Sequence, residues 1–299
     1  MSSPKKRNLP ASIKQRLLNL SEAKDIAFDL ILTRYAIERL LYRLTQSSHA
    51  GGFLLKGAML FAVWSPGAHR PTRDLDLLGF GPSDADAVKL VFQELCQVPV
   101  DDDGLAFSSE SIRVEEIRAD AHYGGLRVQL LALLGKVKIP VQVDIGYGDT
   151  VTPGPETVTF PPLLDFPAPT LRAYPIYTVV AEKFEAMVSL GETNTRMKDF
   201  YDVWFLCERF GFEKSILTKA ITGTFERRRS PVPASVNVVA WSEPFIAAKQ
   251  SVWAAFLKRN ALQSPEFTVV IGQIREFIGP ILEPKAGTKQ WTPKFGWKT

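Results

Sequence analysis

The chain has 299 residues, of which 45 % are hydrophobic and 23 % are charged, and its net charge is +4. This length and apolar content predict two domains with packed cores, while the small positive charge permits a polyanionic partner without requiring one. Cys96 and Cys207 stand far apart and in no zinc-ligand spacing, which argues against a disulfide framework or a structural zinc site. No apolar run approaches the roughly 20 residues of a membrane helix, so we expect a cytoplasmic protein with no membrane partner.

The first half of the chain alternates helical and strand patterns. Apolar residues at helical spacing predict one long helix over residues 21–47, with Ser21 as its N-cap. A short strand around residues 53–55, a glycine turn and an apolar helix follow. The run "RPTRDLDLLGF" predicts a strand, "SDADAVKLVFQELCQV" a helix, and residues 105–145 three further strands. This order of elements predicts an α/β core.

A proline-rich segment separates that core from a helical second half. Seven prolines fall within residues 150–175, a density that excludes long helices and indicates an extended crossing segment. Beyond it, helical patterns cover residues 176–191, 194–211, 213–225, 245–260 and 265–278. We therefore predict a first domain over residues 1–165 and a helical domain over residues 166–299.

Two aspartates lie two residues apart in the run that predicts the second strand. Because side chains i and i+2 of a strand point the same way, Asp74 and Asp76 project together while Leu75 and Leu77 serve the core. Alone, this pair also fits a solvated edge strand. A further strand-like run, "VQVDIGYG", contains the single carboxylate Asp144, which is rarely buried unless it is paired or metal-bound. Three carboxylates on two strands predict a site for a hard cation.

The turn within "LLKGAM" is a candidate phosphate site. Gly57 permits close approach to the backbone, and the following helix would direct its N-terminal amides toward an anion. A single glycine turn is, by itself, almost no evidence for a phosphate site. The turn, the aspartate pair and the later single aspartate together describe a site for a nucleoside triphosphate and magnesium.

These segments together resemble the DNA polymerase beta-like nucleotidyltransferase superfamily. The matching residues are "KGA" at 56–58, "TRDLDL" at 72–77 and "VDI" at 143–145. The segment "YTVVAEKFEAMVSLGETNTRMKDFYDVWFL", at 177–206, resembles the AbiEii branch, which includes the MenT-type toxins of toxin–antitoxin systems. The resemblance implies a polymerase-beta-like core with a small mixed sheet, followed by a helical domain that completes the active cleft. Ala58 departs from the family pattern, which usually has Gly or Ser at that position.

The resemblance also implies roles for the matched residues. Asp74 and Asp76 would coordinate magnesium on the triphosphate, and Asp144 would hold a second magnesium ion and help to activate the acceptor hydroxyl. The implied nucleotide-binding residues are Lys56, Gly57, Ala58, Lys183 and Arg196.

The helical half contributes further candidate catalytic residues. Lys183 shares a helix stripe with apolar residues, where it fits either a snorkelling side chain or a functional one. Asp199 and Asp202 share a face of the next predicted helix, near Arg196, and a solvent-facing set of ion pairs is the simple alternative. The resemblance implies that Lys183 reaches the triphosphate, and that the two aspartates orient Lys183 or the nucleotide.

The C-terminal tail interleaves lysines with aromatic residues. Such a pattern can stack the bases of single-stranded RNA while following its phosphates. Without other evidence, docking of the rings on the protein body explains the pattern better. The residues are Lys285, Lys289, Trp291, Lys294, Phe295, Trp297 and Lys298.

The leading hypothesis is a magnesium-dependent nucleotidyltransferase toxin that transfers nucleotides from a nucleoside triphosphate to the 3′ acceptor end of tRNA. Such a transfer would block translation, and a cognate antitoxin protein is a candidate partner. Two alternatives stay open at this point. One is nucleotide transfer to a protein or a small hydroxyl compound, and the other is a non-catalytic module that binds RNA or a partner protein.

Overall fold

The backbone combines a mixed sheet with helices, which confirms the predicted α/β class. A computed structural model describes residues 8–65, 70–81, 83–119, 123–283 and 289–298. The chain divides into two units, the first formed by Met1–Gly148 and Glu156–Ala173, and the second by Asp149–Pro155 and Tyr174–Thr299. Within the described ranges, no helix is long and apolar enough to cross a membrane.

The first unit contains the large sheet. Its helices are α1 (Leu9–Lys24), α2 (Phe28–Thr45), α3 (Leu60–Trp64) and α4 (Ala85–Gln97). Its strands are β1 (Phe53–Lys56), β2 (Asp74–Gly79), β3 (Leu105–Ala119), β4 (Tyr123–Leu134), β5 (Val137–Tyr147), β6 (Glu156–Thr159) and β7 (Thr170–Ala173). The strand order is β3-β4-β5-β2-β1-β7-β6, with β2 parallel to β5, β1 parallel to β7, and the other neighbours antiparallel.

The N-terminal region forms two helices, so the predicted single helix over residues 21–47 is wrong. Asp25, between α1 and α2, has a φ of 51°, a left-handed conformation that ends the first helix. Ser21 lies in the last turn of α1 and donates its hydroxyl to the carbonyl oxygen of Ile26 at 2.6 Å, so it does not cap α2. Ser21 is a good N-cap residue by type, but the apolar pattern does not reveal the turn that follows it.

One face of the large sheet is apolar and packs on α2 and α4. Leu75 and Leu77 of β2 enclose a small apolar space together with leucines of α2 and Phe92 of α4. Because side chains alternate along a strand, Asp74 and Asp76 project from the opposite face. Packing of the leucines therefore decides on which face the carboxylates lie.

A buried ion pair connects α2 to the segment that precedes β3. Arg43 Nη1 donates to Asp103 Oδ2 at 2.7 Å, and Arg43 Nη2 donates to Asp103 Oδ1 at 3.0 Å. The Tyr35 hydroxyl donates to the carbonyl oxygen of Asp103 at 2.8 Å. Both charged side chains are almost fully buried, so each depends on the other for its compensating charge.

We expect Asp103→Ala to lower the free energy of unfolding by about 3–5 kcal/mol, because it leaves the Arg43 guanidinium buried and uncompensated. Urea unfolding followed by circular dichroism measures this change. Asp101→Ala removes an exposed carboxylate two residues earlier and should change the free energy by less than about 0.5 kcal/mol. Similar losses in the two variants would show that the ion pair does not stabilise the fold.

The second unit is mainly helical, as predicted. Its helices are α5 (Ile176–Leu190), α6 (Met197–Arg209), α7 (Lys214–Arg228), α8 (Glu243–Arg259) and α9 (Phe267–Leu282). A small antiparallel sheet of order β10-β9-β8 comprises β8 (Phe212–Glu213), β9 (Gln290–Thr292) and β10 (Gly296–Lys298). Each helix predicted for this half of the sequence is present, with its ends shifted by a few residues.

The C-terminal tail packs on the helices of the second unit. Trp291 Nε1 donates to the carbonyl oxygen of Cys207 at 2.7 Å, and Trp297 Nε1 donates to that of Phe277 at 2.9 Å. Both indoles also contact the Phe277 ring, with ring centroids 5.0 and 6.1 Å apart. For these two tryptophans the docking interpretation is confirmed. Lys285, which belongs to the same sequence pattern, lies outside the described residues.

Candidate active site

The register of the large sheet brings Asp76 and Asp144 side by side. Strand β2 pairs in parallel with β5, and Asp76 is the direct partner of Asp144. Partner residues on neighbouring strands project from the same face, and Asp74 projects with them from two residues earlier on β2. The three predicted carboxylate residues therefore lie together on the face opposite α2 and α4.

Two basic residues flank the carboxylates, one on each of the strands next to β2 and β5. Lys56 of β1 is the register partner of Asp76, and Arg127 of β4 is the register partner of Asp144. We call Lys56, Asp76, Asp144 and Arg127 the charge row, because they cross four neighbouring strands at one level. The two negative charges at its centre are offset by a positive charge on each side, which lowers the cost of placing the carboxylates next to each other.

Arg127 binds Asp144 through two hydrogen bonds. Arg127 Nε donates to Asp144 Oδ1 and Nη2 donates to Oδ2, each at 2.8 Å. Such two-point pairs between a guanidinium and a carboxylate are stronger and more directional than a contact from lysine. The hydrogen bond to Asp144 raises the pKa of Arg127. The side chains are 38 % and 22 % exposed, so the pair remains within reach of solvent.

Sequence reasoning did not identify Arg127. The residue lies 17 positions before Asp144, and only the antiparallel pairing of β4 with β5 makes them neighbours. A signal was present, because Arg127 is flanked by the buried residues Leu126 and Val128 and must therefore project from the polar face of its strand. The sequence could not tell which residue on another strand it would meet.

Gly57 lies directly beneath the Asp76 side chain. Its φ of 71° is in the left-handed region, which glycine adopts without strain. A Cβ atom at this position would lie 2.6 Å from Asp76 Cγ and 2.7 Å from Asp76 Cβ, closer than real Cβ contacts. Gly57 is therefore required both for the turn and for the approach of Asp76. Ala58 follows in the same 3₁₀ turn and is buried.

We expect Gly57→Ala to lower the free energy of unfolding by about 2–4 kcal/mol, since it combines backbone strain with a clash against Asp76. Gly81→Ala is the matched control, because Gly81 has a φ of 106° but a Cβ atom there would meet no atom of the described residues within 4 Å. The free energy of unfolding of Gly81→Ala should fall only by the contribution of backbone strain, about 1 kcal/mol. Urea unfolding compares the two variants, and equal losses would show that the contact with Asp76 is unimportant.

A groove of about 540 Å³ begins at Asp74. Gln142 is the register partner of Asp74, and Gln129 is the register partner of Gln142, so these residues form a polar row two residues away from the charge row. Arg73 and Arg113 also line the groove. Its volume lies in the range of sites that hold small ligands.

The second unit contains a separate charged cluster between α5 and α6. Lys183 Nζ lies 2.8 Å from Asp199 Oδ1 and 2.7 Å from Asp202 Oδ2. Arg196 Nε contacts the other oxygen of Asp199 at 2.9 Å. The Asp199 and Asp202 side chains are 1 % and 0 % exposed, and that of Lys183 is 13 % exposed. This burial excludes both simple alternatives, a snorkelling lysine and a solvent-facing set of ion pairs.

Opposing effects set the pKa of Asp199. Burial acts to raise it, but the positive charges of Lys183 and Arg196 outweigh burial and hold the pKa below its usual value. The carboxylate is therefore ionised, and the Lys183 ammonium is held in place by two buried anions. Loss of either partner would leave a buried charge without compensation.

The lowered pKa of Asp199 predicts acid sensitivity. Its folded-state pKa lies below the unfolded value of 3.8, so the unfolded state takes up a proton first. This contribution to stability is complete above the unfolded pKa and is lost as the pH falls through the folded-state pKa. Urea unfolding of the native protein should show a falling free energy of unfolding below about pH 4, and Asp199→Asn should show a shallower fall.

The control for this prediction is Asp101→Asn, which removes an exposed carboxylate outside the buried cluster and should keep native stability at pH 7. At pH 7, Asp199→Asn should itself be less stable by roughly 3–5 kcal/mol, because one charge of the buried cluster has been removed. If the free energy of unfolding of Asp199→Asn fell as steeply in acid as that of the native protein, protonation of Asp199 would not be the cause of the acid sensitivity.

The donor atoms on the polar sheet face suit a hard divalent cation. Magnesium prefers oxygen ligands, and the three carboxylates supply them from two neighbouring strands. Among the residues that the structure describes, however, no three acidic, histidine or cysteine side chains are arranged to hold a metal ion. At Asp144, both carboxylate oxygens are engaged by Arg127. The three carboxylates are therefore suitable magnesium ligands by residue type. In this structure, however, the Arg127 guanidinium already provides the positive charge next to Asp144.

Comparison with known proteins identifies the family. The model of the family described as "Nucleotidyl transferase AbiEii toxin, Type IV TA system" matches residues 39–277. This range includes the charge row, Asp74 and the buried cluster of the second unit. The chain belongs to the AbiEii nucleotidyltransferase toxin family, as its motifs predicted.

Two solved structures resemble the chain at low sequence identity. JHP933 from Helicobacter pylori aligns with a TM-score of 0.49 and 13 % identity, over 86 % of this chain and 91 % of that chain. A second H. pylori structure, described as a candidate nucleotidyltransferase, aligns with a TM-score of 0.48 and 13 % identity, over 86 % and 95 % of the two chains. A search of curated proteins found no match.

Proposed function

We propose that this toxin transfers nucleotides from a nucleoside triphosphate to the 3′ acceptor end of tRNA and so blocks translation. The observation that carries the proposal is the register pairing of Asp76 with Asp144, with Asp74 on the same face and Gly57 beneath Asp76. A module that only binds a partner has no physical need for carboxylates that repel one another and require flanking cations.

The residues of the first unit divide into a metal-binding and a phosphate-binding group. Two magnesium ions, held by Asp74, Asp76 and Asp144, would neutralise charge on the triphosphate and lower the pKa of the acceptor hydroxyl. Gly57 lets the backbone of the turn lie close to Asp76, a residue that would hold the metal-bound triphosphate, and Lys56 lies next to Asp76 in the charge row. These features support binding of the triphosphate at the start of the turn.

The charged cluster of the second unit supports a role for Lys183 as a fixed positive charge. Asp199 and Asp202 hold its ammonium in one place, so little conformational freedom is lost when it contacts an anion. We propose that Lys183 and Arg196, which belong to a helical domain over residues 166–299, contribute positive charge to binding of the triphosphate.

The groove at Asp74 supports an acceptor with an unpaired end. The side-chain amides of Gln129 and Gln142 can both donate and accept hydrogen bonds, as base edges require, and Arg73 and Arg113 add positive charge. The 3′ end of tRNA is unpaired and offers a free hydroxyl. We propose that the reaction takes place in the cytoplasm and that a cognate antitoxin counteracts it.

The test is incubation of the purified protein with magnesium, each labelled nucleoside triphosphate in turn, and total RNA. We expect the native protein to label tRNA, and Asp76→Asn to lower the rate by at least about 100-fold, because a ligand of the metal-bound triphosphate is lost. Asp101→Asn, which changes an exposed carboxylate elsewhere, should retain the native rate.

The products decide between the remaining acceptors. Label recovered on protein or on small molecules, identified by mass spectrometry, would replace tRNA as the acceptor. Absence of any transfer by the native protein, or equal transfer by Asp76→Asn, would contradict the proposed active site.

A further inference from the structure

Arg127 lies between two carboxylates on neighbouring strands. Its register partner on β5 is Asp144, and its register partner on β3 is Glu115. Strands in a sheet are about 4.7–4.9 Å apart, so the long arginine side chain can reach either partner without a backbone movement. In this structure both of its hydrogen bonds to a carboxylate go to Asp144.

The contact with Asp144 conflicts with the role proposed for that residue. A magnesium ligand must direct an oxygen lone pair toward the ion at about 2.0–2.1 Å. The guanidinium engages both oxygens, and its positive charge would repel a cation bound to the same carboxylate. Arg127 and a divalent cation therefore compete for Asp144.

We infer that Arg127 is the counter-ion of the carboxylates in the absence of metal, and that it leaves Asp144 for Glu115 when a divalent cation binds. The inference rests on the proposed function, because it assumes that a metal binds at these aspartates. Before binding, the guanidinium offsets the repulsion between Asp76 and Asp144. Afterwards the metal supplies that positive charge, and Glu115 provides a compensating partner for the displaced guanidinium.

The exposure of the pair is what permits this exchange. Arg127 and Asp144 are both partly solvated, in contrast to the almost fully buried aspartates that hold Lys183. A partly solvated guanidinium can leave one carboxylate for another while water covers the intermediate positions. Arg127 is thus a positioning residue, which acts on the metal site through Asp144.

Calorimetric titration with Mn²⁺ in the absence of nucleotide tests the competition directly. Arg127→Lys keeps the charge but replaces a two-point pair by a single ammonium. We expect it to bind Mn²⁺ about tenfold more tightly than the native protein, the factor that corresponds to one lost charge-assisted hydrogen bond. Arg259→Lys, the same substitution at an exposed arginine of α8, should bind Mn²⁺ with native affinity.

The second arm of the experiment tests the exchange of partners. Glu115→Gln removes the carboxylate that would receive the guanidinium, and should weaken Mn²⁺ binding by about threefold or more. Glu116→Gln makes the same charge change at the next residue, which projects from the other face of β3, and should have little effect. Thermal unfolding is an independent readout, because Arg127→Lys should be less stable than the native protein in EDTA but not at saturating Mn²⁺.

The outcomes separate this inference from the proposed function. Native-like Mn²⁺ affinity in Arg127→Lys would overturn the inference and leave metal-dependent transfer intact. Equal weakening in Glu115→Gln and Glu116→Gln would indicate a general charge effect and overturn the exchange of partners. If the native protein bound no divalent cation, even with a non-hydrolysable triphosphate, the metal-dependent function itself would be wrong.

Discussion

Repulsion between Asp76 and Asp144 is the constraint on which the rest of the polar sheet face depends. The two aspartates are direct partners on neighbouring strands, where like charges are normally unfavourable. The fold accommodates them with Lys56 on β1 and Arg127 on β4, and with Gly57 beneath Asp76, where any side chain would collide. These features together offset the repulsion between the two carboxylates and leave room for the Asp76 side chain.

The second unit solves a related problem in a different way. Asp199 and Asp202 are almost fully buried and share Lys183 as their common cation, so removal of any member leaves an uncompensated charge. Burial makes this cluster a fixed arrangement. The charge row of the sheet is partly solvated, and its arginine can therefore change partners. The two clusters contain similar residue types, and their difference in exposure gives them different physical properties.

The correct predictions came from strong local patterns. Alternation of apolar and charged residues in "RPTRDLDLLGF" predicted both the strand and the common face of Asp74 and Asp76. Helical spacing with glycine and polar ends predicted the helices of the second half. The break at Asp25 was missed because an aspartate in a left-handed conformation leaves no distinctive pattern in a helical sequence. Arg127 was missed because its significance lies in its partner, which is distant in sequence.

The class of protein was predictable because the motifs at 56–58, 72–77, 143–145 and 177–206 resemble those of a known family. The strands that contain the carboxylates, and the common face of Asp74 and Asp76, were predictable from the two-residue periodicity that every strand obeys. The pairing of Asp76 with Asp144, the contact of Arg127 with both oxygens of Asp144 and the burial of the α6 aspartates against Lys183 became visible only in the folded chain. Strand order, register and burial arise from packing between distant segments, and no local pattern encodes them.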